Sequence, residues 1–249
     1  MKKFFAGFAI VALSACVAHA FDETERVSRT VAFAPGGEVR VMTFSGRVAI
    51  TGSDANEVTV EAVRHGSRDR LDRIKLDIQT SGSLVTIDAN HRDSSWFPFR
   101  HDTVVDTDLD IKVPRHTDLR VNTFSAPVTI EHVQGSHDVH GFSSRVRLTD
   151  VSGPVQAKTF SGSVEIRVSD WQDRQSIDVN TFSGGVELEV PPEARGHVTF
   201  NSFSGRLDSE LPLTLRSASR RSVSGELGSG DAGLSMRFRT FSGNVRILR

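Results

Sequence analysis

The chain has 249 residues, with 30 lysines and arginines against 31 aspartates and glutamates and a formal net charge of -1. This balance argues against a strongly basic nucleic-acid binder. The single cysteine excludes a disulfide framework and a zinc site built from several thiolates.

The first twenty residues have the pattern of an export signal. Two lysines precede an uncharged apolar run, Phe4 to Ala15, which is shorter than the ~20 residues that a membrane-spanning helix needs. Two processing signals follow: an A-x-A site that ends at Ala20, and a lipobox-like Leu-Ser-Ala-Cys that ends at Cys16, where the cysteine would be lipidated. We therefore predict a signal peptide over residues 1–20 and an exported protein that is periplasmic, secreted or cell-surface. Cleavage after Ala20 and lipidation at Cys16 both remain open.

One short motif, T-F-S-G-x-V, recurs along the rest of the chain. The last seven copies are 18 to 22 residues apart, and a gap of 80 residues separates the first copy from the second. The copies begin at Thr43, Thr123, Gly141, Thr159, Thr181, Ser202, Ser222 and Thr240. A period of this size indicates stacked supersecondary units. The long gap predicts about three degenerate copies between Val48 and Thr123, one of them at Gln79–Leu84.

Apolar and polar residues alternate on both sides of the motif. Val155, Ala157 and Thr159 precede one bend, and Val164 and Ile166 follow it. A period of two predicts strands with one buried face, and the Ser-Gly pair predicts a bend between them.

Two architectures fit such units: antiparallel hairpins in a sandwich or barrel, or parallel strands that stack from one coil to the next. The near-identical bends favour stacking, because identical residues form ladders only when successive coils are in register. Parallel crossovers are right-handed in ~98% of cases. We therefore predict an all-β fold, a right-handed parallel β-solenoid (single-stranded β-helix) with coils of about 20 residues, as a single domain over residues 21–249.

The succession of alternating strand, T-x-S-G-x-V/I bend and strand resembles the DUF4097 family. Members of this family are exported bacterial proteins built from β-strand repeats, and they are described as candidate adhesins. A prolyl step before the next repeat, as at Val113-Pro114, is also similar. The resemblance covers roughly Val31 to Arg249. It implies a right-handed β-solenoid in an exported protein and little chemistry. Phe recurs at the second motif position of this sequence, and this departs from the family pattern, in which the position is usually more variable.

Seven motif copies carry phenylalanine at the same position: Phe44, Phe124, Phe142, Phe160, Phe182, Phe203 and Phe241. Stacked coils lie ~4.8 Å apart, so the rings would form an aromatic ladder. We favour the interpretation that the Ser-Gly bend turns these rings into a corner of the core. The alternative is an exposed aromatic stripe that binds a partner or a glycan.

Residues 91–102 interrupt the repeat and combine Trp96, Phe97 and Phe99 with mixed charges. Loops on a rigid scaffold often carry binding residues, so these aromatics are a candidate interaction surface, with Trp171 as a second candidate. The alternative is a loop that folds its aromatics over a side of the solenoid.

Two polar clusters could bind a metal ion, but we expect neither to do so. His132, His137 and His140 match no familiar metal motif, and we interpret them as solvated surface residues. The row Asp106, Asp108 and Asp110 could bind Ca²⁺ but is more typical of the polar face of an amphipathic strand.

The chain contains no G-x-S-x-G, H-E-x-x-H, P-loop or dinucleotide-binding motif. We therefore predict no catalysis and no cofactor. The predicted function is an interaction or adhesion-like module of the cell envelope, with an envelope protein or a glycan as partner, no nucleic acid, and membrane contact only through a lipid anchor at Cys16. The alternatives are a carbohydrate-active β-helix enzyme and an envelope signalling or scaffold protein that self-associates through its coil ends.

Overall fold

The computed structural model describes residues 23–92, 104–168, 176–228 and 234–249, and most residues in these ranges are in β-strands. The first part contains β1 (Glu23–Ala32), β2 (Glu38–Ser53), β3 (Glu57–Gly66), the short helix α1 (Arg68–Arg73), β4 (Ile74–Ser81) and β5 (Leu84–Arg92). The middle contains β6 (Asp106–Pro114), β7 (Asp118–Ser125), β8 (Val128–Glu131), β9 (His137–Gly141), β10 (Val146–Val151), β11 (Val155–Ser161) and β12 (Val164–Val168). The last part contains β13 (Ser176–Ser183), β14 (Val186–Glu189), β15 (Gly196–Ser202), β16 (Leu207–Ser209), β17 (Leu213–Ala218), β18 (Ser222–Leu227), β19 (Ser235–Ser242) and β20 (Val245–Leu248). The predicted all-β class is confirmed.

Most strands pair in parallel with the equivalent strand of another repeat. The strands that precede the bends form a first sheet, in the order β5–β2–β7–β9–β11–β13–β19–β15. The strands that follow the bends form a second sheet, in the order β6–β2–β8–β10–β12–β14–β20–β16. The long strand β2 belongs to both sheets.

The register of the first sheet joins equivalent motif residues. Thr43 pairs with Thr123, Thr159 with Thr181, and Thr181 with Thr240. Gly141 continues the row between Thr123 and Thr159. The expectation that equivalent motif residues align when the coils are in register is therefore confirmed for the parallel coils, and the fold is a solenoid-like repeat.

The order of the coils departs from the order of the chain at both ends. The coil formed by β5 and β6 lies outside the β2 coil, and the last coil, β19 and β20, lies between the β13–β14 coil and the β15–β16 coil. The first and last coils of the chain are therefore paired on both sides.

Antiparallel strands cover the ends of the stack. At one end β4 pairs with β5, while β3 pairs with β6 and β1 pairs with β3. At the other end β18 pairs with β15, and β17 pairs with β18. Because an unpaired strand edge invites pairing with another chain, solenoids need such caps.

Two expected repeat copies belong to these caps. Gln79–Leu84 is the antiparallel turn between β4 and β5, built around Gly82 with a φ of 58°. Ser222–Leu227 is β18, which runs against its neighbours. The prediction of three stacked copies between Val48 and Thr123 is wrong, because β3 and β4 are cap strands and only β5 and β6 form a stacked coil there.

The inward residues of both sheets form one continuous hydrophobic core, so the sheet is nearly closed around it. The alternation in β13 is typical of the parallel strands. Ile177 and Val179 face the core and are buried, whereas Asn180 faces outward and is exposed. The period-two interpretation of the sequence is confirmed along the parallel strands.

The bend explains two residues of the motif. The hydroxyl of Thr181 donates to the carbonyl of Gly184 at 3.3 Å, and Thr240 does the same to Gly243 at 3.0 Å. A Cβ at Gly184 would collide with the carbonyl oxygen of Gly162 in the adjacent coil, so only glycine permits this close stacking. The structure of the bend therefore explains why the motif contains Thr and Gly, but it does not explain why the motif contains Phe.

Candidate functional site: an exposed phenylalanine ladder

The seven motif phenylalanines form a continuous stack on the outside of the first sheet, here called the Phe ladder. Their exposed fractions range from 41% to 54%. Neighbouring ring centroids lie 4.5 to 4.9 Å apart, with interplanar angles of 1° to 14°. The order along the stack is Phe44, Phe124, Phe142, Phe160, Phe182, Phe241 and Phe203.

The favoured prediction that these rings fill a corner of the core is wrong. Strand alternation continues through the ring position, so that in β11 Thr159 is buried and Phe160 is exposed. The chain bends only after this residue, and the ring therefore stays outside. The exposed stripe, which was the alternative interpretation, is the observed arrangement.

Stacking determines which part of each ring a partner can contact. Parallel rings at these distances cover one another's faces, so the inner rings offer mainly their C–H edges. At one end of the ladder, the Arg221 guanidinium lies 4.4 Å from the centroid of Phe203 and covers the last face. The accessible surface is thus an apolar ribbon of ring edges.

A groove of about 900 Å³ runs beside the ladder. The rings form one wall, and the motif threonines form the floor. The second wall consists of outward side chains one coil apart: Asp88, Met42, Asn122, His140, Lys158, Asn180 and Arg239. We did not predict these wall residues from the sequence, although most stand two positions before a motif Phe and so share its strand face.

Charge along the second wall changes sign from end to end. Asp88, in the coil beyond Phe44, lies 3.5 Å from His91. Lys158 has no ion-pair partner among the residues that the structure describes. Arg239 lies 3.8 Å from Asp178. The groove is therefore acidic at the end near β5 and basic from its middle towards β19.

The aspartate row lies on the outer face of β6 and is engaged with β2. Arg47 donates two hydrogen bonds of 2.9 Å to the carboxylate of Asp110, and this contact raises the pKa of Arg47. Ser45 donates to Asp106. Asp108 points outward with them, while Thr107 and Leu109 are buried, so the interpretation as the polar face of an amphipathic strand is confirmed.

The three histidines have different environments. His132 and His140 are half-exposed, as predicted for surface residues. His137 is fully buried in β9, in register with Leu119 and Val155, so its assignment to the surface is wrong. Burial lowers the pKa of His137 to about 4, against smaller opposing effects of the nearby Ser152 and Val133 backbone.

Several predicted candidates lie outside the described residues: Trp96, Phe97, Phe99, Trp171 and Cys16. Within the described ranges, no group of three or more His, Cys, Asp or Glu side chains is placed to hold a metal ion. None of the helices in those ranges is long and apolar enough to cross a membrane.

A family model described as Toastrack DUF4097 matches residues 117–248, which is 132 of the 249 residues. The chain belongs to the DUF4097 family. The predicted resemblance is thus confirmed from the start of β7 to the end of β20, a stretch that includes six of the seven rings of the Phe ladder. A search of curated protein sequences finds no match for this DUF4097 protein.

Two solved structures match most of this chain at low sequence identity. A candidate cell adhesion protein from Clostridium sporogenes is 9% identical, with a TM-score of 0.49 over 90% of this DUF4097 chain and 99% of that chain. A candidate adhesin from Bacteroides fragilis is also 9% identical, with a TM-score of 0.42 over 90% of this chain and 97% of that chain.

Exposure of the Phe ladder makes a prediction about stability. Phe160→Ala removes two ring contacts, each worth ~0.5–1.5 kcal/mol, and leaves no internal cavity, so we expect a loss of about 1–3 kcal/mol in the free energy of unfolding of this DUF4097 protein. Phe238→Ala is the matched control, because Phe238 is a fully buried ring in β19 and should cost ~3–5 kcal/mol. Urea unfolding of both variants checks this order. Equal losses would place Phe160 in the core after all.

Proposed function

We propose that this DUF4097 protein is a non-catalytic, adhesion-like interaction module of the cell envelope and that the Phe ladder with its groove is its working surface. The observation that carries the proposal is the contiguous row of seven half-exposed rings. With about 200 Å² per phenylalanine, they expose roughly 600 Å² before the groove walls are counted. Soluble monomers rarely expose a larger apolar patch unless it binds a partner.

The regular scaffold supports this role. Each ring lies on or directly after a strand that is paired on both sides, and after Phe160 the hydroxyl of Thr159 donates to the carbonyl of Gly162 in the bend. We propose that the scaffold is a right-handed β-solenoid of about 20-residue coils, formed as one domain by residues 21–249. Its support is the residue-for-residue parallel register of motif copies that are about that far apart.

Export is also part of the proposal. Residues 1–20 would act as a signal peptide, followed either by cleavage after Ala20 or by lipidation at Cys16. The aromatic residues Trp96, Phe97, Phe99 and Trp171 remain candidates for a second contact surface. The partner would be a component of the envelope, and nucleic acid is not expected to bind, since the net charge is -1.

A carbohydrate-active enzyme has less support. Such an enzyme needs carboxylates that face a cleft, whereas Asp110 is bound to Arg47 and Asp106 to Ser45 on the second sheet. The Phe ladder lies instead on the first sheet, beside a groove whose described walls carry one acid, Asp88.

Adherence of whole cells tests the proposed surface. A host strain that lacks the gene would be complemented with the wild type, with Phe160→Ser, or with Leu215→Ser. Leu215 is the matched control, because it is 55% exposed on β17 and lies outside the Phe ladder. We expect Phe160→Ser to lower adherence several-fold at equal envelope abundance, and Leu215→Ser to leave it unchanged.

Abundance and folding are controlled by immunoblotting of the envelope fraction and by thermal melting of the purified variants. Unchanged adherence in a Phe142→Ser/Phe160→Ser double variant that is folded and present at the wild-type level would refute the Phe ladder as the working surface.

A further inference from the structure

We infer that the groove beside the Phe ladder binds the acyl chain of a single-chain anionic amphiphile, with its headgroup near Lys158 and Arg239 and its tail towards Met42. This inference deepens the proposed function by naming a ligand class for the same surface, and it rests on that function.

The chemistry of the ring wall selects a hydrocarbon. Over six consecutive rings, from Phe44 to Phe241, the wall offers only C–H edges and no hydrogen-bond donor or acceptor. A polar group that loses water there without a partner costs free energy. Sugar hydroxyls and peptide amide groups recur too often along a glycan or a peptide strand to avoid this wall. An acyl chain is the linear ligand that carries no such groups.

Stacking of the rings also argues against a glycan. Sugars bind aromatic side chains by laying a C–H face of the pyranose on the face of the ring. Here the neighbours cover those faces, with interplanar angles of 1° to 4° along the centre of the ladder. The Phe203 end is covered by Arg221.

Length and shape fit a single extended chain. The six rings are separated by five centroid spacings of 4.5 to 4.9 Å, so the apolar wall is about as long as an extended long-chain fatty acid. The groove lies between two rows of side chains on one sheet and has a volume of about 900 Å³. One chain can follow it along its length, with the threonine floor beneath.

Charge along the second wall orients the ligand. Lys158 has no ion-pair partner within the described ranges, and Arg239 has only a 3.8 Å contact with Asp178. Both cations lie past the middle of the groove, whereas the opposite end carries Met42 and then Asp88. An anionic headgroup is therefore attracted to the β11–β19 part and repelled from the β5 end, which leaves the tail along Met42.

Calorimetric titration of the exported full-length protein tests the inference, with caprate, laurate and myristate below their micellar concentrations as probes. A half-buried methylene contributes about half of the full ~0.8 kcal/mol, so each pair of added methylenes should tighten binding about fourfold. Dodecyltrimethylammonium has the opposite headgroup charge and should bind several-fold more weakly than laurate.

Substitutions in each wall of the groove test the contribution of that wall to binding. We expect Phe160→Ser to weaken myristate binding strongly, and Leu215→Ser to leave it unchanged. Lys158→Gln should remove the preference for laurate over dodecyltrimethylammonium, whereas Lys112→Gln, an exposed lysine on the second sheet, should retain it. Thermal melting confirms that each variant is folded.

The inference is overturned by no saturable binding of myristate or by equal affinity in Phe160→Ser. A wild-type dimer in analytical ultracentrifugation that Phe160→Ser dissociates would also overturn it and would assign the groove to a second copy. Stronger, Phe160-dependent binding to phosphatidylglycerol vesicles than to myristate would assign it to a membrane surface instead. If Phe160→Ser loses adherence but the wild type binds no acyl chain, the proposed function is retained and only the proposed ligand is refuted.

Discussion

Val179→Asp is expected to lower the free energy of unfolding by about 3–5 kcal/mol, because it leaves an uncompensated charge in the core. Val179 is fully buried in β13 and pairs with Ala157 on one side and Phe238 on the other. The carboxylate would therefore face apolar side chains of three consecutive coils. Urea unfolding of the purified protein measures the loss.

The matched control is Asn180→Asp, one residue further along the same strand. Asn180 is exposed on the outer face, beside Lys158 of the adjacent coil, so the same new carboxylate should change stability by less than ~0.5 kcal/mol. Similar losses for the two variants would show that the inward and outward assignments of β13 are wrong.

Alternation and repetition made the stacked part of the fold predictable. A period of two identified the buried residues of each strand, and the repeated bend predicted which residues align between coils. The motif also shows compensation: where Gly141 replaces the usual Thr, Ser144 replaces the usual Gly, and its hydroxyl lies 2.8 Å from that of Thr123. A buried hydroxyl group is thus present at this bend as at the others, but it belongs to a different residue.

The caps and the coil order could not be predicted in the same way. An antiparallel cap strand such as β18 buries one face against the stack, so it carries the same Ser-x-Ser-Gly pattern and the same alternation as a coil. Strand direction depends on contacts between distant parts of the chain, which a local pattern does not contain. For this reason the sequence pattern alone predicts a stacked copy at Ser222–Leu227, where the structure has a cap strand.

The candidate site was only half predictable. The ladder spacing follows from the motif, but the expectation that the Ser-Gly bend turns the rings into a corner of the core is wrong. Strand parity already gave the correct answer, since Phe160 follows the inward Thr159. The same parity identifies Lys158 and Asn180 as neighbours of the rings, so the groove can be found once the motif is interpreted as a strand rather than as a bend.

Acid should destabilise the protein through His137, and His137→Val should remove that sensitivity. The imidazole is fully buried, and its pKa is about 4 in the folded protein against an ordinary value of 6.5. Between these two values the unfolded chain binds more protons than the folded protein, so stability is complete above pH 6.5 and falls as the pH drops towards 4. The shift corresponds to a loss of roughly 3 kcal/mol.

Valine is the appropriate replacement, because Val155 occupies the paired position in the next coil. We expect unfolding free energies measured at pH 7 and pH 4 to differ by about 3 kcal/mol more in the wild type than in His137→Val. His140→Asn is the control: it removes a half-exposed histidine and introduces the residue found at the paired Asn122 and at Asn180. It should retain the acid sensitivity of the wild type. If His137→Val loses as much stability as the wild type between the two pH values, the acid sensitivity belongs to surface carboxylates such as Glu38, whose pKa is lowered by its hydrogen bond from Arg40.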